Sequence, residues 1–405
     1  MKTIGSALIA ATLACSFVLF TSAEEAARAN ETVLHSFGSG TDGQSPYSSL
    51  VGVKGTLYGT TVDGGTHGDG TVFALDPGTS AEKVLYSFCR RRNCVDGANP
   101  VASLIDMNGT LYGTTYDGGT SDGGSVFAID RKTGAEKVLY SFCSQKSCTD
   151  GEYPAAGLID VTGTLYGTTF FGGINSSGTV FALDPNTGTE KLLYTFCSRQ
   201  LCTDGGNPVA SPIDVNGMLY GTTTSGGLYP SDGGTVFALD PNSGAENVLY
   251  TFCSQQNCTD GATPAGSLVE ASGTLYGTTE VGGSTGCNGQ GCGTVFAVDP
   301  STGTETVLYS FTGGLDGGLP TAGLIDVNGT LYGTTSSGGT SGKGTAFALD
   351  PNTGTETVLY SFCSRKKCKD GEEPYAGLTD VKGTLYGTTV YGGATGFGTV
   401  FALKP

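Results

Sequence analysis

Short segments in which apolar and polar residues alternate follow one another along the chain, separated by Gly, Asn, Asp and Pro. A period of two with such punctuation predicts β-strands joined by turns. One string, Gly-Thr-Leu-Tyr-Gly-Thr-Thr, begins at Gly55, Gly109, Gly163, Gly273, Gly329 and Gly383, and Gly217-Met218-Leu219-Tyr220 opens a variant copy. Successive copies lie 54, 54, 54, 56, 56 and 54 residues apart. So strict a period defines a repeat array, and the four alternating segments in each copy predict four strands per unit.

The second unit shows the plan. Its first strand is predicted from Val101 to Met107, opened by Pro100, and Asn108-Gly109 turns it into a second strand, Thr110 to Thr115. Asn-Gly favours the positive φ values of a two-residue hairpin. A glycine-rich loop from Asp117 to Gly124 leads to a third strand, Ser125 to Asp130, and Lys132-Thr133-Gly134 turns the chain into a fourth, Glu136 to Phe142. In other units this last turn reads Asp-Pro-Asn-Thr-Gly, as at Asp184 to Gly188, where Pro presets φ and Gly supplies a positive one. Each unit is an antiparallel meander.

Seven such meanders predict an all-β fold, a seven-bladed β-propeller with four-stranded antiparallel blades. An open solenoid is the rival, but it needs polar capping repeats, and none is visible. The ends of the repeat separate the two. The fourth-strand string first occurs as Val33-Leu34-His35-Ser36-Phe37, ahead of any complete unit, and the last unit runs out at Gly398 to Leu403 without a fourth strand. The expectation is a last blade closed by an N-terminal strand over residues 32–37, with 31–405 forming a single domain.

Composition agrees and adds exclusions. With 68 Gly among 405 residues, long helices are ruled out, because Gly weakens a helix interior by roughly 1 kcal/mol relative to Ala. The hydrophobic share of 38% still supplies a core. A formal charge of −17 argues against nucleic acid or an anionic membrane as partner, since a polyanion would be repelled. Lys2, the uncharged run Ile4 to Phe20 and the small residues Thr21-Ser22-Ala23 read as a signal peptide over 1–23, followed by a short linker over 24–30. Retention of that run as a membrane anchor is the alternative; after cleavage no membrane span remains, so the expected location is secreted or extracytoplasmic.

Tandem Leu-Tyr-Gly-Thr-Thr, then Gly-Thr-Val-Phe-Ala-Leu-Asp-Pro, then Val-Leu-Tyr-Ser-Phe, resembles the bacterial GloVer (Gloeo/Verruco) repeat family over nearly all of Glu31 to Pro405. The resemblance implies an exported surface or extracellular repeat protein, from a family whose members carry varied C-terminal anchors, and it implies no defined catalytic activity. No sorting helix precedes Pro405, so free secretion is expected over anchoring.

Beyond Cys15, twelve cysteines fall into six close pairs: Cys89-Cys94, Cys143-Cys148, Cys197-Cys202, Cys253-Cys258, Cys287-Cys292 and Cys363-Cys368. In an exported chain these predict local disulfides. Five follow a fourth strand, whereas Cys287-Cys292 falls between the second and third strands of the fifth unit. With only His35 and His67 in the chain and the pairs on different blades, a cysteine-based metal site is not expected.

Strand direction alternates, so the loops from fourth to first strand and from second to third share one face. That face carries the length variation and the cysteines, and variable loops on a rigid scaffold are where binding sits. The loop after each Thr-Thr breaks the repeat with Asp63 and His67, Tyr116 and Asp117, Phe170 and Phe171, Tyr229, Glu280, and Tyr391 with Phe397. Aromatic rings beside carboxylates suit stacking on sugars; packing over blade edges is the structural alternative. Asp42, Asp96, Asp150, Asp204, Asp260, Asp316 and Asp370 precede the innermost strands and are placed in a ring at the channel mouth. Turn capping explains them best, and a cation or polar ligand on the axis is the alternative. Arg90, Arg91, Arg92, Lys146, Arg199, Arg365, Lys366, Lys367 and Lys369 lie in or beside the cysteine loops; a solvated loop offsetting nearby Asp is the expected reading, and a local anion patch the alternative.

These observations favour a secreted, monomeric, non-enzymatic propeller, with no cofactor or metal, that binds a carbohydrate or cell-surface protein ligand through the variable loop face. The alternative is an extracellular carbohydrate-active hydrolase or lyase that uses loop carboxylates, with Tyr116 or His67 assisting.

Overall fold

The computed structural model of the protein describes residues 30–38, 40–228 and 233–405. The expected signal peptide (1–23), the linker up to residue 29 and Tyr229 lie outside the described residues. Seven four-stranded antiparallel sheets succeed one another as blades of a propeller. Blade 1 consists of Val51–Val53, Thr56–Thr61, Thr71–Asp76 and Ala81–Ser87, and blades 2 to 6 repeat that order. Blade 7 takes Thr379–Val381, Thr384–Thr389 and Thr399–Lys404 from the end of the chain and its outermost strand, Asn30–Ser36, from the beginning. The pairing runs from Asn30 opposite Lys404 to Ser36 opposite Thr399, so the ring is closed by the predicted strand. Among the described residues no helix is long and apolar enough to cross a membrane.

Local sequence accounts for the turns. Asn108 and Gly109 have φ of 54° and 94°, the two positive values a two-residue hairpin of this kind requires. At the third turn the Asp130 carboxylate accepts hydrogen bonds from the backbone N–H groups of Lys132 and Thr133 at 3.0 and 2.8 Å. Two details differ from expectation. The first strand of blade 2 is only Ile105–Met107: Val101, Ala102 and Ser103 line the central channel, and the pairing with the second strand begins at Ile105. The fourth strand carries a β-bulge: Val126 lies opposite Tyr140 but Phe127 opposite Val138. The extra residue lets Leu139, Tyr140 and Phe142 all join one hydrophobic cluster, which strict alternation would forbid.

The core lies between blades. Phe88 at the end of blade 1 meets Phe127 of blade 2 edge-to-face at 5.0 Å, and the same contact recurs around the ring to Phe37 on Phe73 at 5.2 Å, joining blade 7 to blade 1. Each fully buried ring contributes roughly 2–3 kcal/mol. The glycine of Leu-Tyr-Gly-Thr-Thr makes room for it, since a Cβ on Gly113 would stand 2.6 Å from Cζ of Phe127. The two threonines serve separate joints. Thr114 Oγ1 donates to the Ala156 carbonyl of the next blade at 2.9 Å, and Thr115 Oγ1 lies 2.8 Å from Ser125 Oγ within its own blade.

Candidate ligand site at the channel mouth

Each unit enters the ring through a segment that ends in proline and then sends three residues down the channel wall. Together these triplets line a channel with a volume of about 280 Å³. The residue before each proline has positive φ, from 51° at Asn99 to 58° at Glu373. A bulky residue resists that conformation. It is held by backbone hydrogen bonds on both sides: Glu373 N–H donates to the Lys343 carbonyl of blade 6 at 2.9 Å, and Glu373 carbonyl accepts from Val390 N–H at 3.2 Å. The inbound segment and the loop after Thr-Thr are thereby fixed to each other and to the preceding blade.

The channel wall is built of small residues except at one place. The first position of the triplet is Val101, Ala155, Val209, Ala265 and Thr321 in blades 2 to 6, but Tyr375 in blade 7 and Tyr47 in blade 1. These neighbouring rings are 5.3 Å apart. Tyr391, 43% exposed, completes a three-tyrosine group on the loop-side rim, and burial, with Tyr391 and Tyr375 adding to it, pushes the Tyr47 phenol up to about 12. Polar groups surround them. Lys343 Nζ lies 2.9 Å from carboxylate oxygens of both Glu372 and Glu373, and those two anions hold the ammonium charged. Burial raises the Glu280 carboxyl, and burial together with Glu373 and Glu280 raises the Tyr375 phenol.

Of the loop residues singled out in the sequence, Tyr391 and Glu280 belong to this group. Tyr116, Asp117, Phe170 and Phe171 form a second cluster on blades 2 and 3, with Tyr153 stacked on Tyr116 at 5.0 Å and Phe170 against Phe171 at 4.4 Å. None of these five lines the channel. Burial and Asp122 raise the Asp117 carboxyl. Asp63 and His67 are exposed on the blade 1 loop. Phe397 packs on the core cluster of Phe37 and Leu50, so its ring belongs to a blade joint.

None of the seven aspartates lines the channel; each turns into the loop that leaves the preceding fourth strand, as turn capping requires. Asp96, with no exposed surface, accepts from Arg90 N–H at 2.9 Å, Arg91 N–H at 3.0 Å and the Tyr86 hydroxyl at 2.7 Å. Asp150, Asp204, Asp260 and Asp370 repeat the arrangement. Asp316 and Asp42 keep it in shorter loops, bonding Thr312 N–H at 2.7 Å and Gly38 N–H at 2.8 Å.

A second ring of carboxylates escaped the sequence reading. Glu31, Glu82, Glu136, Glu190, Glu246, Glu305 and Glu356 each sit four residues before the Tyr or His of the fourth strand, a fixed spacing that could have exposed them. Each leaves its Oε1 buried without a hydrogen-bond partner, and burial pushes Glu190, Glu305 and Glu356 up to about 7. Three junctions supply a cation: Arg91 lies 3.0 Å from Glu136, Arg199 2.8 Å from Glu246 and Arg365 2.7 Å from Glu31. Those arginines are thus tied into blade joints.

All six cysteine pairs are bonded as expected. The displaced bridge has a structural reason. A Cβ on Gly313 would lie 2.7 Å from Cys292 Sγ, so this bridge packs on the short loop that follows blade 5 and lacks a disulfide of its own.

The architecture recurs in solved proteins of unlike sequence. An oligogalacturonate lyase in complex with manganese superposes with a TM-score of 0.51 at 12% identity, covering 94% of each chain. A puromycin hydrolase gives 0.52 at 14% identity over 85% of this chain and 50% of its own. A Mycobacterium tuberculosis puromycin-hydrolyzing peptidase gives 0.50 at 13% identity, with 88% and 53% covered. At such identities the likeness shows the fold alone. No curated protein matches the sequence. The repeat strings and the blades they build agree with the Gloeobacter/Verrucomicrobia repeat, whose model matches residues 18–229 and 198–401, and the chain belongs to that family.

Proposed function

We propose that this propeller is a carbohydrate-binding module of the extracytoplasmic space that holds its ligand at the loop-side mouth of the channel. The observation that carries the reading is the pair Tyr47 and Tyr375, two rings on adjacent blades at positions that are Val, Ala or Thr in the other five. Tyrosine faces stack on the apolar faces of sugar rings, and nearby Glu373, Lys343 and Glu280 offer acceptors and a donor for hydroxyl groups. Six disulfides support a place outside the reducing cytoplasm. Glycan-array screening followed by calorimetry tests it. Tyr375→Ala and Tyr47→Ala are expected to weaken the best glycan at least tenfold, while Tyr116→Ala leaves it unchanged. Equal binding by all three variants, or no glycan above background, removes the support.

A carbohydrate-active enzyme is the second reading, favoured by one feature: the Glu280 carboxyl, raised by burial near the Tyr375 hydroxyl, has the character of a general acid. Polysaccharide turnover lost in Glu280→Gln would promote it over simple binding.

A further inference from the structure

Six of the seven blade joints place a tyrosine hydroxyl between an Asp and a Glu, and the joint between blades 7 and 1 places His35 there instead. The imidazole occupies the phenol's position. It packs edge-to-face on Phe37 at 4.8 Å, as Tyr86 packs on Phe88 at 5.2 Å, and its Nε2 lies 3.2 Å from Asp42 Oδ2, matching the hydroxyl–carboxylate contact elsewhere. The replacement changes the chemistry. A neutral phenol between two carboxylates is a poor ligand, whereas imidazole with two carboxylates is a donor set that divalent transition ions accept.

We propose that His35, Asp42 and Glu82 bind one divalent transition-metal ion across the seam that closes the ring. The three ligand atoms lie within 4.8 Å of one another. The 3.2 Å separation of Nε2 and Oδ2 is that of two ligands subtending roughly 100° at an ion about 2.1 Å from each. Glu82 brings an Oε1 that is buried without a hydrogen-bond partner. The same unfilled oxygen occurs at the other joints, but only here does a His face it. Among the described residues the other three groupings of potential ligands each contain two cysteines joined in a disulfide, which removes them as thiolate donors.

Charge supports the same conclusion. At three joints a guanidinium already neutralises the buried glutamate, and the loop between blades 7 and 1 contains no Arg or Lys to do so. The ion would take that place. His35 belongs to the N-terminal strand and Glu82 to the fourth strand of blade 1, so binding would tie the closing strand to the blade beyond it.

The test uses the full chain with its disulfides intact, stripped with EDTA and dialysed into 0.15 M salt. Titration with Zn2+ and Co2+ should show one equivalent bound, a Co2+ absorption band in the visible, and a melting temperature raised about 3 °C at a hundredfold excess of Zn2+ over Kd. His35→Tyr installs the residue of the other six joints and should fold; it is expected to abolish the Co2+ band and the thermal shift. Glu82→Gln should weaken binding at least about tenfold. No stoichiometric binding to the parent chain, or the same stoichiometry and affinity in His35→Tyr, overturns the proposal. Glycan binding by the metal-stripped proteins is a separate readout that neither variant should move.

Discussion

The buried glutamates that lack a cation set a pH dependence of stability opposite to the usual one. Glu190, Glu305 and Glu356 have folded values near 7 against an ordinary 4.5 because burial disfavours the charged form. Between those values the folded chain holds more protons than the unfolded one, so stability falls as pH rises from about 4.5 to 7 and stays low above that. A fully dry carboxyl displaced that far would cost about 3 kcal/mol, but these half-buried groups retain water, and about 1 kcal/mol each is the realistic figure.

Replacing all three with Gln removes that penalty while keeping shape and hydrogen-bonding capacity. The sites are on separate blades and should add, giving the triple variant a gain of about 3 kcal/mol at pH 8, which for a domain this size is about 4 °C in melting temperature. At pH 4.5 the folded carboxyls are protonated and the unfolded ones half protonated, so the gain should shrink to a few tenths of a kcal/mol. Below that, the parent weakens again. The turn aspartates Asp130, Asp184 and Asp350 are held low by backbone N–H groups and neighbouring hydroxyls, so their stabilisation fades as pH drops through the folded values. Thermal melts of parent and triple variant from pH 4.5 to 8 decide the matter: a gain independent of pH, or a loss at pH 8, would refute the reasoning.

Three further outcomes are expected. Arg199→Gln strips Glu246 of its partner and should cost about 1 kcal/mol at pH 8, shrinking toward zero at pH 4.5, as read by the same melts. Gly113→Ala drives a methyl to within 2.6 Å of Phe127 and 2.8 Å of Leu104 and should cost about 1–3 kcal/mol in denaturant unfolding. Alkylation of the unfolded, unreduced protein should modify none of the twelve bonded cysteines, as intact mass will show.

Most of the ring was legible before the structure because its determinants are local. Asn108-Gly109, the Asp130 turn and the stray Val33 to Phe37 string each specify a connection within a few residues, and the period multiplies them by seven. What escaped depends on relations across blades. Leu139 sits on a bulge whose benefit is a contact with the next blade. The aspartates look like rim residues in one unit and become loop caps only when the preceding strand's Tyr is in place. Tyr47 and Tyr375 were hidden differently. They follow a motif shared by all units, and their significance appears only when the seven triplets are aligned around one channel.

That alignment supplies a general argument about where function lies in this chain. A feature present in all seven blades serves what all seven blades must do, namely fold and join, which is how Asp96, Thr114 and Phe127 and their equivalents act here. A feature that breaks the sevenfold pattern at a solvent-accessible place has no such duty. Three such breaks stand out: the tyrosines on blades 7 and 1, the aromatic cluster on blades 2 and 3, and His35 at the seam. Two of the three flank the single joint where chain ends meet, with Tyr47 just after the closing strand and His35 within it. Ordering of that joint by an ion at His35 would be transmitted along only a dozen residues to Tyr47, so metal removal should lower glycan affinity in the parent chain and leave it unaltered in His35→Tyr.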